Sequence, residues 1–256
     1  MYQKGETNLT IPIAIVLAGV FIAAAVFIVN SGNGNTGNNT DNNGQNGDEQ
    51  QEIDLTPITE DDHILGNPDA PIVIVEYSDT ECPFCKEFHS TMQSVMDEFG
   101  TQGQVAWVYR HLPLDRVHSK ARTEAEATEC AADLGGNEAF WDYINRLFEI
   151  TPSNNQLELD ELPNIAEHVG LDREAFQECL DSDRTVSDVE DDLQSARAAG
   201  ASGTPHSVIL LQETGETFPM PGNRSLAEVR SIIGAGLNQL NETDGDAHSG
   251  SMEEEL

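Results

Sequence analysis

The feature that most restricts the fold is a change of hydrophobic period at residue 82. Pro71–Tyr77 (PIVIVEY) is apolar and β-branched at consecutive positions, the pattern of a buried strand. From Cys82 the spacing becomes helical. Phe84, Phe88, Met92, Val95, Met96 and Phe99 form one stripe, closed by Gly100. Gln104–Arg110 (QVAWVYR) reads as strand again, so the segment predicts a strand–helix–strand crossover with parallel strands. Residues 118–200 carry helical stripes throughout, punctuated by Gly135-Gly136, Pro163 and Gly170. Strand signal returns at Ser207–Leu211 with a short companion near Glu216–Phe218, and Leu226, Val229, Ile233 and Leu240 mark a last helix. The order predicts an α/β architecture: a β-α-β half and an antiparallel hairpin with a helix, separated by a helical insertion.

The flanks need no core. Residues 11–29 (IPIAIVLAGVFIAAAVFIV) have no charge, and as a helix they span roughly 28 Å, close to the hydrocarbon thickness of a bilayer. An uncleaved transmembrane anchor is expected, with residues 1–10 cytoplasmic on the thin signal of Lys4; a cleaved signal peptide is the alternative. Residues 30–62 are expected to be a disordered polar and acidic linker, and 241–256 an acidic disordered tail. The folded part then divides into a sheet domain, 63–114 and 201–240, and a helical insertion at 115–200.

Acid dominates the chain, with 46 Asp+Glu against 12 Lys+Arg and a formal net charge of −34. Such a field repels phosphate backbones and anionic headgroups. No nucleic-acid partner is expected, and any membrane attachment must be hydrophobic. Lysine occurs only at Lys4, Lys86 and Lys120, and the balance points to a halophile-like surface, stable where salt screens its self-repulsion.

Cys82-Pro83-Phe84-Cys85 sits at the handover from strand to helix. A sulfur at a helix N-terminus meets free N–H groups and the positive end of the dipole, which favour thiolate, the species that attacks disulfides. Cys85 lies near enough to close a ring with Cys82 or to resolve a mixed disulfide, and Pro83 is tolerated in a first turn. The alternative, half of a zinc site, lacks its other half, because Cys130 and Cys179 are single and far apart. Glu76, in an otherwise apolar strand, would have a raised pKa if buried and could relay a proton to or from Cys85; a salt-bridged or edge-facing acid is the alternative. Thr204-Pro205 precedes the strand Ser207–Leu211. A cis peptide there would offer a tight turn whose backbone holds a substrate strand beside Cys82. His206 follows directly and is expected to line the site. His111 and His118 read as structural, no histidines have ligand-like spacing, and neither a metal nor a cofactor is expected.

LGNPDAPIVIVEYSDTECPFC, YRHLPL, TECAADLGG, FQECLDS and GTPHSVIL occur in this order over about residues 63–240, and as a set they resemble the DsbA-like thioredoxin family. The resemblance implies a thioredoxin fold with an inserted all-helical domain, preceded here by the transmembrane helix. It also implies Cys82 as nucleophile, Cys85 as buried partner, Glu76 as buried acid and Thr204-Pro205 as a cis-proline loop. Pro83, Phe84, Thr204, Pro205 and His206 are expected to meet substrate. The best-known member has histidine where this chain has Phe84, so a milder oxidant is expected, with a Cys82 pKa still below that of a free thiol. For Cys130 and Cys179 a structural disulfide is expected, since an outward-facing compartment lets one persist; two buried free thiols are the alternative.

The expected activity is thiol–disulfide exchange outside the cytoplasm, oxidising cysteine pairs in exported proteins. The enzyme is expected to be a monomer, reoxidised by a membrane partner of the DsbB or VKOR type, as the resemblance implies. The same residues run in reverse would make a reductase or isomerase. A tethered metal-binding module is the third reading.

Overall fold

The computed structural model describes residues 53–250; the expected anchor at 11–29, its cytoplasmic flank, most of the linker and residues 251–256 lie outside them. The strands are β1 His63–Gly66, β2 Ile72–Ser78, β3 Val105–His111, β4 His206–Leu211 and β5 Thr217–Pro221. The helices are α1 Pro83–Val95, α2 Ala121–Ile150, α3 Leu162–His168, α4 Arg173–Leu180, α5 Val186–Ala198 and α6 Leu226–Gly250. One sheet forms in the order β1-β3-β2-β4-β5. β2 and β3 are parallel, Ile72 beside Val105 through Ser78 beside His111, because α1 returns the chain between them. β4 runs antiparallel to β2, with Glu76 opposite Ser207, and β5 antiparallel to β4. Central β2 and β3 are buried along their whole length, as their unbroken apolar runs require.

The pleat sorts side chains onto two faces. Ile72, Ile74, Trp107, Tyr109, Ile209 and Leu211 pack with Phe88 and Met92 of α1 and Val229 and Ile233 of α6. Val73, Val75, Tyr77, Ala106, Val108 and Val208 pack with Leu193 and Ala196 of α5. Each large apolar side chain buried in this way contributes about 1.5–3 kcal/mol. A third core, with Cys130, Tyr143, Leu147, Ile165, Phe176 and Cys179, holds the helices to one another. A disulfide joins Cys130 to Cys179 across 5.8 Å between Cα atoms, tying α2 to α4. The break read at Gly135-Gly136 is a kink in α2, where Gly136 takes φ 74°.

Four features differ from the sequence reading. β1 was not foreseen: four residues are too few to display a period, and they become a strand because the edge of β3 pairs with them, His63 opposite Tyr109 and Gly66 opposite Ala106. Gly66 has φ +100°, and a Cβ there would lie 2.8 Å from Met96 Cε and 3.0 Å from the Val105 carbonyl oxygen, so glycine is required. The ordered chain begins before residue 63. Ile53, Leu55 and Ile58 lie against the second face, and Asp62 holds the buried Arg110 guanidinium at 2.7 and 3.1 Å. Arg110 also donates to the carbonyls of Thr56 and Pro57, partners that a buried cation needs. Nor is 115–200 a body apart, since Phe140, Trp141 and Ile144 of α2 enter the sheet core and α5 covers the other face. Helix α6 continues to Gly250, into the stretch read as a disordered tail.

Candidate active site

The turn between β2 and α1 is built on Asp79. Its carboxylate accepts the N–H groups of Glu81 (2.8 Å) and Leu114 (2.7 Å) and faces His118 Nδ1 at 2.9 Å; its carbonyl accepts the Cys82 N–H at 3.1 Å. These bonds set Cys82 at the helix cap in extended conformation, φ −80° and ψ 120°, with Pro83 in the first turn. No side chain caps α1, so its first N–H groups are left to the Cys82 sulfur.

The two thiols are driven apart in acidity. A hydrogen bond from Cys85, aided by Thr204 and the backbone N–H groups of Cys85 and Phe84, brings Cys82 down to about 6 despite partial burial. Burial first, then the Cys82 sulfur and Glu76, push Cys85 well above the ordinary thiol range. Exposure follows the same order, 4% for Cys82 and 0% for Cys85. As a thiol, Cys82 donates to the Thr204 carbonyl at 3.6 Å, and the Thr204-Pro205 peptide is cis. Pro205 is buried and Thr204 half-buried, whereas Pro83 is exposed. Phe84, read into the core stripe of α1, instead stands 60% exposed beside the thiols.

Glu76 shares the α1 side of the sheet. It is wholly buried, its Oε2 accepts the Trp107 indole N–H at 3.0 Å, and its Oε1 has no hydrogen-bond partner. Burial pushes this carboxyl up to about 7, against the lowering influence of the nearby Ser78 and of Trp107. An acid of near-neutral pKa thus lies within electrostatic reach of both sulfurs.

His206 departs from expectation. The pleat turns it to the second face, where its ring lies 6.3 Å from that of Tyr77 and burial lowers its pKa. It is not among the groups that set the acidity of Cys82. His111 was read without metal-ligand spacing, yet His111, Glu129 and Asp192 bring ligand atoms within 4.8 Å of one another and could hold a metal ion. Sequence spacing could not show this, because the three come from separate elements. Here hydrogen bonds close the set, with Glu129 Oε1 2.9 Å from both His111 Nε2 and His63 Nε2. A groove of about 940 Å³ flanks α1, lined by Lys86, His89, Gln93, Asn145, Arg146 and His168; neither redox cysteine lines it. The sequence reading also passed over Asp79, Glu81 and Glu124, all buried at this turn. Glu81 carried a signal in its placement, as an acid directly before a cysteine that must ionise.

A family model described as Thioredoxin matches residues 58–220. DsbA2 of Pseudomonas aeruginosa has a similar structure, with 30% identity and a TM-score of 0.56 over 67% of this chain and 92% of that one. Oxidised BdbD of Bacillus subtilis is similar at 25% identity and a TM-score of 0.62, over 73% and 98% of the two chains. A Na(+)/H(+) antiporter NhaA 1 of Salinispora arenicola is 36% identical over 152 residues, 59% of this chain. That match spans only 22% of the antiporter, so the likeness is to a segment of it. Among the described residues no helix is long and apolar enough to cross a membrane.

Proposed function

The chain belongs to the thioredoxin family, as a DsbA-like thiol–disulfide oxidoreductase, and on that premise we propose that it oxidises cysteine pairs in exported proteins. The observation that carries this direction is the split acidity of the pair, Cys82 down to about 6 and Cys85 raised. A stabilised Cys82 thiolate favours the reduced enzyme, which makes the disulfide form an electron acceptor.

A substrate thiolate attacks Cys82 of the Cys82–Cys85 disulfide, forming a mixed disulfide and releasing Cys85 as thiolate. Cys85, of high pKa, takes a proton, for which Glu76 is the nearby buried relay. The substrate's second thiolate then attacks its own sulfur in the mixed disulfide and expels Cys82, a good leaving group at its low pKa. Substrate loses two electrons and two protons; one proton ends on Cys85 and the other in solvent. The backbone at Thr204-Pro205 and the exposed Pro83 and Phe84 offer the surface on which a substrate strand lies. Regeneration requires a membrane partner of the DsbB or VKOR type that passes both electrons to a quinone. Residues 11–29 are the anchor that would hold the domain, extracytoplasmic, beside it.

The deciding experiment is the equilibrium potential of Cys82–Cys85 against glutathione. A value toward the oxidising end, about −120 mV, supports disulfide donation; one near about −270 mV assigns the same site to reduction and defeats the proposal.

A further inference from the structure

Three successive residues, Ser153, Asn154 and Asn155, have left-handed backbones with φ of 63°, 55° and 63°. Such a run without glycine persists only where its surroundings hold it. What holds it is the residue before Cys82. The Asn154 N–H donates to the Glu81 carbonyl at 2.8 Å, the carbonyl of the peptide that joins Glu81 to Cys82. The Asn155 N–H donates to the Glu81 carboxylate in a short bond. From the other side, the Asn155 side chain accepts from the Lys120 N–H at 3.2 Å and donates to the Val117 carbonyl at 2.9 Å. Lys86, in the first turn of α1, donates to the Thr151 carbonyl at 2.6 Å.

Behind Glu81 stands a second buried acid. Glu124 is 0% exposed, and neither of its oxygens meets a conventional donor. Burial and the facing Glu81 carboxyl raise Glu124 to about 9, so it is protonated near neutral pH and can donate to Glu81. Glu81 thus faces Glu124 and accepts the Asn155 N–H. Asp79, with His118, and Thr80 are the other polar groups around the pair.

We propose that Glu81 is a positioning residue which, with Glu124 behind it, clamps the Ser153–Asn155 loop to the active-site turn, so that the exposed Asn154 side chain forms one wall of the approach to Cys82. The loop follows α2 of the helical insertion, whereas Phe84 lies in the first turn of α1 and Thr204-Pro205 leads into β4. The clamp makes a substrate peptide meet both. The inference rests on the thiol–disulfide reading of Cys82.

The test uses the full chain and compares oxidation of an unstructured two-cysteine peptide with that of dithiothreitol, which is too small to need the loop. Glu81→Ala is expected to lower kcat/KM for the peptide about tenfold, through KM, the factor one charge-assisted hydrogen bond is worth. Its rate with dithiothreitol should stay within about twofold, allowing for scatter in such contributions. Glu81→Gln keeps an acceptor for the Asn155 N–H and should restore the peptide rate. Asn154→Asp keeps a residue at home in left-handed backbone and does not depend on the Glu81 variants folding. It should shift preference severalfold toward a lysine-flanked peptide over a glutamate-flanked one. Equal losses on peptide and dithiothreitol, no loss on either, or no charge preference in Asn154→Asp would overturn the clamp. A wild-type chain that oxidises neither dithiol would instead remove the enzymatic reading beneath it.

Discussion

Glutamine at position 76 isolates the energetic consequence of the buried acid. The wild-type carboxyl is moved from 4.5 to about 7, chiefly by burial. Because the folded pKa lies above the unfolded one, the favourable contribution is complete below pH 4.5 and is lost as pH rises through 7. At about 1.4 kcal/mol per tenfold change in acidity, the ionised carboxylate costs about 3 kcal/mol by pH 8. Glu76→Gln keeps an oxygen for the Trp107 indole N–H and removes the titration. Urea unfolding of the reduced protein, at one fixed high salt concentration, gives the stability difference between variant and wild type at about pH 5 and pH 8. That difference should move by about 2.5 kcal/mol in favour of the variant between the two, since at pH 5 the unfolded carboxyl is already largely ionised. Asp192 and Glu124, raised in the same sense, and Glu129, lowered to about 2, titrate in both proteins and cancel. A difference identical at the two pH values would show that Glu76 does not ionise in this range, and the proton relay would fall with it.

Three further outcomes follow from the same geometry. Alkylation of the reduced protein by iodoacetamide should occur at Cys82, with a rate that climbs through about pH 6, and should spare Cys85; modification of both thiols at equal rates would contradict the split. Phe84→His places a cationic ring beside the thiolate and should raise the potential of the pair; an unchanged potential defeats the argument. Cys130→Ser with Cys179→Ser opens a loop of sequence separation 49 and should lower stability by roughly 4 kcal/mol while leaving the Cys82–Cys85 potential unaltered; a changed potential would make the second pair part of turnover.

The local signals were legible where each residue's neighbours in sequence decide its environment. The β-branched run before Cys82, the helical stripe after it and the proline before the fourth strand all became the elements they announce. Glu76 was legible too, because a lone acid inside an apolar strand must be buried or out of register. Phe84 carried two readings, a core stripe and a place facing substrate; it is exposed, which agrees with the second and departs from the first. His206 misled by one residue of pleat.

By itself, the sequence determined the alternation of strand and helix, the position of a cysteine pair at a helix start and the strongly acidic surface, because periodicity, capping and charge are properties of neighbouring residues. Only the tertiary structure decided that β1 completes the sheet, that residues 53–62 anchor on Arg110, and that Glu81 reaches across to Asn155. It alone also brought His111, Glu129 and Asp192 together. Those pairings join residues tens of positions apart. Their energies come from burial and from hydrogen bonds that buried polar groups must find, and no local pattern encodes which distant partner will supply them.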